Sequence, residues 1–404
     1  MKTKTSINRL LSWLKPLQVF SGLFLLLLFL LPLAASAGWR QNTGFAQAIP
    51  PTPDAAWSER FSLSGDLRLR RDQIDSQNES GQDEKTRIRH RYRLRLNAKA
   101  LLDEEMRVVL RLASGESRQP VNSNEVTFTD GFANKDVYFD LAYLHWDLLP
   151  QLHLQLGKVP LPFYSPGRRH LLWDPDITPE GLALLWNQSL PRGWVFSRLG
   201  AFVMQEYAAE SDSYLYSAQL GWGREGLSSG LLLGAGLYHF TRLKDRPMMY
   251  HRDFGNSSYE VGPSGSETLY FGENYEVAQV FAEFSWQGAF MPLRFVVDYG
   301  KNLAVTEQGE SFVAGVLVGE TRKVGDVYLS YDYRFMQRDS QVGALTDGWF
   351  VLAQKDSRGH SFNLIYNWRE HSTWRIRHLL AQTDLTSGAP RDFYRVVLDL
   401  NTRF

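Results

Sequence analysis

The stretch TRIRHRYRLRLNAKA, residues 86–100, constrains this chain more than any other. Arg87, Arg89, Arg91, Arg93 and Arg95 take every second position, and Ile88, His90, Tyr92, Leu94, Leu96 and Ala98 fill the places between. Successive side chains of an extended strand point to opposite faces, so this spacing gives one face of guanidinium groups and one that is mostly apolar. At helical spacing the same arginines would scatter around the whole circumference. Such a strand fits two settings. It can lie in a soluble sheet with its arginines in water, or in a membrane barrel with its apolar face in lipid and its arginines in an aqueous lumen.

The N-terminal residues favour the second setting. Lys2, Lys4, Arg9 and Lys15 precede the apolar run 20–33, and Ala35-Ser36-Ala37 follows it. A basic start, a short apolar core and a small-x-small site make a secretory signal peptide, expected to be cut after Ala37. The full chain balances 44 Lys+Arg against 44 Asp+Glu, so loss of those four cations leaves the mature chain four charges negative. That excludes the global basicity of a nucleic-acid binder. Cysteine is absent, so an exported chain of this kind relies on backbone pairing and burial rather than on disulfides. Mean hydropathy is negative, yet aromatic residues reach 13%, which suits strands that alternate polar and apolar positions. Residues 38–58, rich in Pro, Ala and polar residues, are expected to form a flexible periplasmic lead-in, and 59–404 a single barrel.

Period-two alternation recurs along the chain. Expected strands are 61–70, 86–100, 106–112, 136–147, 151–158, 181–188, 193–204, 213–223, 229–241, 276–286, 291–301, 311–320, 324–336, 359–369, 373–384 and 392–404, with 348–354 as a candidate extra. The connections sort by side. Turns after even strands are short, whereas those after odd strands include 71–86, 115–135, 159–180, 242–275 and 337–358. An all-β, antiparallel transmembrane barrel of about sixteen strands, with short periplasmic turns and long extracellular loops, is the fold this sorting predicts. The final run DFYRVVLDLNTRF alternates as well, and its aromatic residues Tyr394 and Phe404 resemble the C-terminal assembly signal of bacterial outer-membrane proteins.

In a closed barrel the last strand meets the first, which gathers Arg68, Arg70, Arg107, Arg111, Arg375, Arg377 and Arg395 beside the ladder arginines Arg87, Arg89, Arg91, Arg93 and Arg95. Rows of arginine line anion and phosphate pores. Alternatively, acids such as Asp66, Asp140, Glu283, Asp298, Asp326, Asp332 and Asp399 neutralise the wall, and the arginines simply fill a wide lumen. The proline-rich loop 159–180 carries Arg168, Arg169, Asp174, Asp176 and Glu180. Folded inward, it would act as a constriction with its acids facing the basic wall; folded outward, it would cap the barrel. Asp174, Asp176 and Glu180 make an incomplete calcium-ligand set, and neither a metal nor a cofactor is expected.

The runs SGDLRLRR, RIRHRYRLRLNAKA, RLASGE, DLAYLHW, GKVPLPF and LLWDPDITPEGLA resemble the bacterial putative porin family, over most of the mature chain and most densely across 59–190. The resemblance implies an outer-membrane barrel acting as a passive channel, with no solute specified. Small hydrophilic solutes, with an anionic preference set by the arginines, are therefore the expected cargo. Outer-membrane lipid, lipopolysaccharide and the barrel-assembly machinery are the expected partners, and a homotrimer is compatible with the strand number. An alginate-export type of channel, with a similar GDLRLRR start, and a surface-binding barrel using loop 242–275 are the alternatives. Lipid-facing histidines such as His90, His145, His360 and His378 fit an interfacial belt. No G-x-S-x-G, H-E-x-x-H or phosphate loop occurs, so the chain is not read as an enzyme.

Overall fold

Alternation of apolar and polar residues leaves each segment with one face for lipid, and in lipid every backbone N–H and C=O must be paired. The computed structural model describes residues 60–404 apart from 79, 116–123, 209, 264 and 289. The expected signal peptide and lead-in lie outside the described residues. Sixteen long strands carry the fold: β1 Phe61–Ser76, β2 Arg87–Leu101, β3 Met106–Ser114, β4 Val137–Leu149, β5 Leu152–Lys158, β6 Glu180–Leu190, β7 Gly193–Gln205, β8 Ser213–Glu225, β9 Ser229–Phe240, β10 Glu276–Gln287, β11 Pro292–Asn302, β12 Glu310–Gly319, β13 Val327–Met336, β14 Ser357–Arg369, β15 Ser372–Thr383 and β16 Arg391–Arg403. Each pairs antiparallel with the next, and β16 pairs with β1 from Asp66↔Arg403 to Ser76↔Phe393, so the sheet closes on itself. Every expected strand is present. The candidate at 348–354 forms a short turn instead.

The outer face is apolar, as the alternation requires. Leu63, Leu67 and Leu69 on β1, Leu329 and Tyr331 on β13, and Phe362, Leu364, Tyr366 and Trp368 on β14 are all exposed there. No helix among the described residues is long and apolar enough to cross a membrane; the strands do so.

Three local expectations change. Strand β1 continues to Ser76, because both neighbours keep pairing with it beyond Arg70. Asp326 does not line the lumen. It lies just outside β13 and accepts the backbone N–H groups of Arg322 (2.8 Å) and Lys323 (2.7 Å), capping a periplasmic turn. His145 faces inward and is buried, not lipid-facing. A register shift between Arg111 and Leu112 opposite β4 sends both Asp140 and Leu141 inward. Beyond that bulge the odd positions Tyr143, His145 and Asp147 take the lumen side.

The seam is closed by Gly65 and Phe404, which exchange N–H···O bonds of 2.8 and 3.0 Å. A Cβ on Gly65 would stand 2.5 Å from the Phe404 ring and 2.8 Å from the Arg95 carbonyl oxygen. The barrel is thus sealed where one residue has no side chain. A Gly65→Leu variant is expected to lose about 1–3 kcal/mol through overpacking. The check is the denaturant midpoint of the refolded barrel, together with the fraction that resists unfolding in cold detergent.

Candidate functional site

The inward faces of β15, β16, β1, β2 and β3 form one continuous basic wall. Its arginines are held by carboxylates in a chain of shared contacts. Arg93 and Arg95 donate to the two oxygens of Asp66 at 2.7 and 2.8 Å. Asp72 takes Arg395 in a bidentate grip at 2.8 and 2.9 Å and also accepts from Arg89. Asp399 accepts Arg70 at 2.6 Å and lies 3.6 Å from Arg377. Asp140 pairs with Arg111, and Asp147 with Arg107 at 2.6 Å.

Two further acids come from loops rather than strands. The two-residue strand Val126–Thr127 pairs with β2 opposite Tyr92 and Arg91, beyond the end of β3, and so turns Glu125 into the wall. There Glu125 meets Arg68 at 3.0 Å, Arg70 at 2.5 Å and Arg91 at 2.6 Å. Burial opposes its charge, but the three arginines outweigh burial and hold its pKa down at about 2. Asp176, from the proline-rich loop, lies 3.5 Å from Arg93 and 3.3 Å from Arg95. Burial again disfavours the charge, and these two arginines overcome it to keep Asp176 below the usual carboxylate range.

The segment 159–179 leaves β5, three strands from the ladder, crosses the lumen to the opposite strands and returns to reach the ladder. Gln219 on β8 holds both backbone groups of Tyr164, at 2.7 and 3.0 Å. Glu283 on β10 accepts the Tyr164 hydroxyl and the Gly167 N–H, both at 2.8 Å. Gly167, at φ 54°, is pressed so closely on Val296 that a Cβ would stand 2.8 Å from Cγ1. Arg169 then pairs with Asp332 on β13 at 2.8 Å. Asp174 turns away from the ladder and accepts the Gly348 N–H at 2.9 Å. Its burial, with Asp176 and Asp347 nearby, raises its pKa well above the usual range.

A second loop, 337–356, lies against the first. Gln341 donates to the Leu171 carbonyl at 2.8 Å, and Arg395 reaches the carbonyls of Gly348 and Trp349 at 2.9 and 3.0 Å. The Trp349 ring lies under Arg377 at 3.9 Å and Arg395 at 5.0 Å. Val351, Leu352 and Ala353 all adopt left-handed backbone, at φ 41°, 56° and 69°, a strained run for residues with side chains. With loop 241–275, these segments build an apolar core inside the extracellular half of the barrel. Phe163, Trp173, Tyr238, Phe240, Leu345 and Phe350 belong to it. Packing leaves a gap of only about 10 Å³ among Leu172, Trp173, Tyr238, Phe240 and their neighbours.

Most of the residues singled out from sequence therefore meet: Arg68, Arg70, Arg89, Arg91, Arg93, Arg95, Arg107, Arg111, Arg377 and Arg395 stand in the wall with acid partners. Arg375 stands opposite Asp399 in the β15–β16 register but makes no hydrogen bond or ion pair among the described residues, and its Nε is buried. Arg87 is exposed at the extracellular end, and Arg168 is exposed on the loop. Glu180 does not join them. As the first residue of β6 it falls on the outward parity and pairs with Lys158 at 2.9 Å, so Asp174, Asp176 and Glu180 do not converge as a calcium set. Tyr394 and Phe404 lie on the outer face. Asp72 and Glu125 stand in the wall without having been expected there. Asp72 continues the β1 alternation beyond the expected strand end and was legible from that parity. Glu125 has no local signal, since only its pairing beside β2 brings it in.

The strands thus form a closed β-barrel with an apolar outer face and an arginine-rich interior. Residues 76–261 match the family described as putative porin. No curated protein sequence matches the chain. Similar solved structures include a loop-deletion variant of OmpT, an outer-membrane protein of Vibrio cholerae, at 9% identity and TM-score 0.49, covering 85% of this chain and 100% of that one. The outer-membrane channel DcaP of Acinetobacter baumannii follows at 12% and 0.47, over 85% and 97%. A double mutant of Rhodopseudomonas blastica porin stands at 10% and 0.47, over 85% and 100%. The barrel and the porin match together support an outer-membrane channel.

Glu125 supplies the test of the wall. Its pKa is lower folded than the ordinary 4.5, so its stabilisation is fully present above about pH 4.5 and fades as pH falls through about 2. Glu125→Gln leaves Arg68 and Arg91 without a carboxylate, while Arg70 keeps Asp399, and at pH 7 it is expected to cost about 3–5 kcal/mol. Denaturant melts of wild type and variant should differ at pH 7 and converge near pH 2.

Proposed function

We propose that this protein is a passive outer-membrane channel for small hydrophilic solutes bearing negative charge, with the arginine wall as its selective surface. The observation that carries the reading is that guanidinium groups outnumber carboxylates on that wall. Asp66, Asp72, Glu125, Asp140, Asp147, Asp176 and Asp399 are all engaged by arginine, and Arg375 still stands without such a partner among the described residues. Guanidinium stays charged at any pH the protein meets and presents a planar fork suited to carboxylate or phosphate. A solute moving along the wall passes from one such fork to the next, so no single site holds it too tightly to leave.

The apolar packing of the three extracellular loops favours a resting state of low conductance. In this reading Trp349, clamped beneath Arg377 and Arg395, fastens loop 337–356 across the path. A surface-binding barrel is the competing reading, favoured by the same packing if the loops never move.

Single-channel recording of refolded protein across a salt gradient separates these. Wild type is expected to open infrequently with a reversal potential on the anion side, and Trp349→Ala to open more often. A unit charge about 10 Å from the path is worth roughly 0.4 kcal/mol in a water-like dielectric, about twofold for an anion and the reverse for a cation, so Arg375→Gln should lower the anion-to-cation permeability ratio about fourfold. A ratio that Arg375→Gln leaves unmoved would reduce the wall to scaffolding. Silence in both wild type and Trp349→Ala would reject the channel and leave surface binding.

A further inference from the structure

At the periplasmic end of the lumen, two histidines that neither the arginine wall nor the loops account for stand beside Asp147, the last carboxylate of that wall. The hairpin of β4 and β5 reads HWDLLPQLH, and its register sets Asp147 opposite His153 and His145 opposite Gln155. Because of the β4 bulge all four project inward. His145 Nε2 and His153 Nδ1 both lie on one oxygen of Asp147, Oδ1, at 2.8 and 2.5 Å. One ligand atom from each of His145, Asp147 and His153 falls within 4.8 Å of the others.

We propose that His145, Asp147 and His153 bind one divalent transition-metal ion of the zinc, copper or nickel type. Two imidazoles and one carboxylate grouped on one side of an ion, with the remaining positions open to solvent, is a recurrent ligand set for such ions. The surroundings are arranged as a ligand shell requires. Arg107 engages the other oxygen of Asp147, Oδ2, at 2.6 Å, which fixes the carboxylate and leaves Oδ1 directed at the histidines. Gln155 is 3% exposed, and its amide lies 3.3 Å from His145 Nδ1. The amide oxygen of Gln155 has no hydrogen-bond partner. A half-turn of that amide lets the oxygen accept Nδ1–H, which puts the lone pair on His145 Nε2, and such a carbonyl is the usual outer partner of a metal-bound histidine. Binding replaces the protons that the two rings otherwise share with Asp147.

Charge narrows the choice of ion. Arg107 and Lys99 lie close by, and the single carboxylate does not offset them. Calcium and magnesium depend on several anionic oxygens and are disfavoured here, whereas ions that bond strongly to imidazole are less dependent on net charge. The site is open enough to fill: the side chains of Asp147 and His153 are each 26% exposed.

The test uses the full chain, refolded in detergent and free of any histidine tag. Zinc uptake is followed by competition with a chromophoric indicator, and the ligand field by the visible absorption of bound cobalt. One ion per chain is expected. His153→Ala and His145→Ala should each weaken zinc binding by about tenfold or more, and Gln155→Leu by roughly tenfold through its hold on His145. His239→Ala, on the outer face of β9, should leave binding unchanged. Calcium at the same concentration should not compete. His153 is more exposed than the buried His145, so its variant is expected to fold even if His145→Ala does not. No uptake of zinc by the folded barrel, or uptake that His153→Ala leaves intact, would overturn the site. Neither result bears on anion conduction, which is read separately in the bilayer.

Discussion

Closure of the backbone hydrogen-bond ladder governs this molecule. In hydrocarbon an unpaired edge is too costly to keep, so β1 and β16 must meet, and once they do every strand has one face committed to lipid. Two-residue periodicity then fixes all other side chains in the lumen. Arginines that a soluble sheet would leave in bulk water are here forced into a confined interior, four of them (Arg89, Arg91, Arg93 and Arg95) along a single strand. The rest of the structure can be understood as the response to that confinement.

The response is to share carboxylates. Asp66, Asp72, Asp399 and Glu125 each serve two or three arginines, because the arginines are more numerous and a buried guanidinium without a counter-charge is destabilising. Strands alone do not supply enough acids on the correct parity. Glu125 and Asp176 make up part of the difference from loops, and this draws the loops into the barrel. Once inside, their apolar side chains meet the inward residues of the extracellular half and form a dry core. The membrane barrel thereby acquires something unusual for a sheet with an aqueous interior: a packed centre built from its own connections.

How much of this could be read beforehand follows from the range of each interaction. The strands, the sidedness of the loops and the basic wall depend on period two, which the sequence displays directly. His145 was misplaced because a single extra residue at the Asp140–Leu141 bulge reverses parity downstream, and that bulge reflects pairing with β3 rather than any residue type in β4. Glu180 was assigned to the constriction because a strand boundary was drawn one residue late. The contacts of Asp176 with Arg93 and Arg95 were anticipated in kind, as acids facing the ladder. The clamp on Trp349 was not, since it joins residues from β15, β16 and a loop that share no local pattern.

The loop origin of Asp176 has one more consequence. It is held at the ladder by the same two guanidinium groups that any entering anion would seek, so cargo and loop are rivals for one seat. A carboxylate from solution that took the place of the Asp176 carboxylate would exchange ion pairs rather than break them. Asp174 would still hold the loop to Leu345 and Gly348 beside that end, and Gln219 and Glu283 tether it further back. On the proposed function, a ligand that fits the arginines would compete with the loop's own acid for the same two side chains.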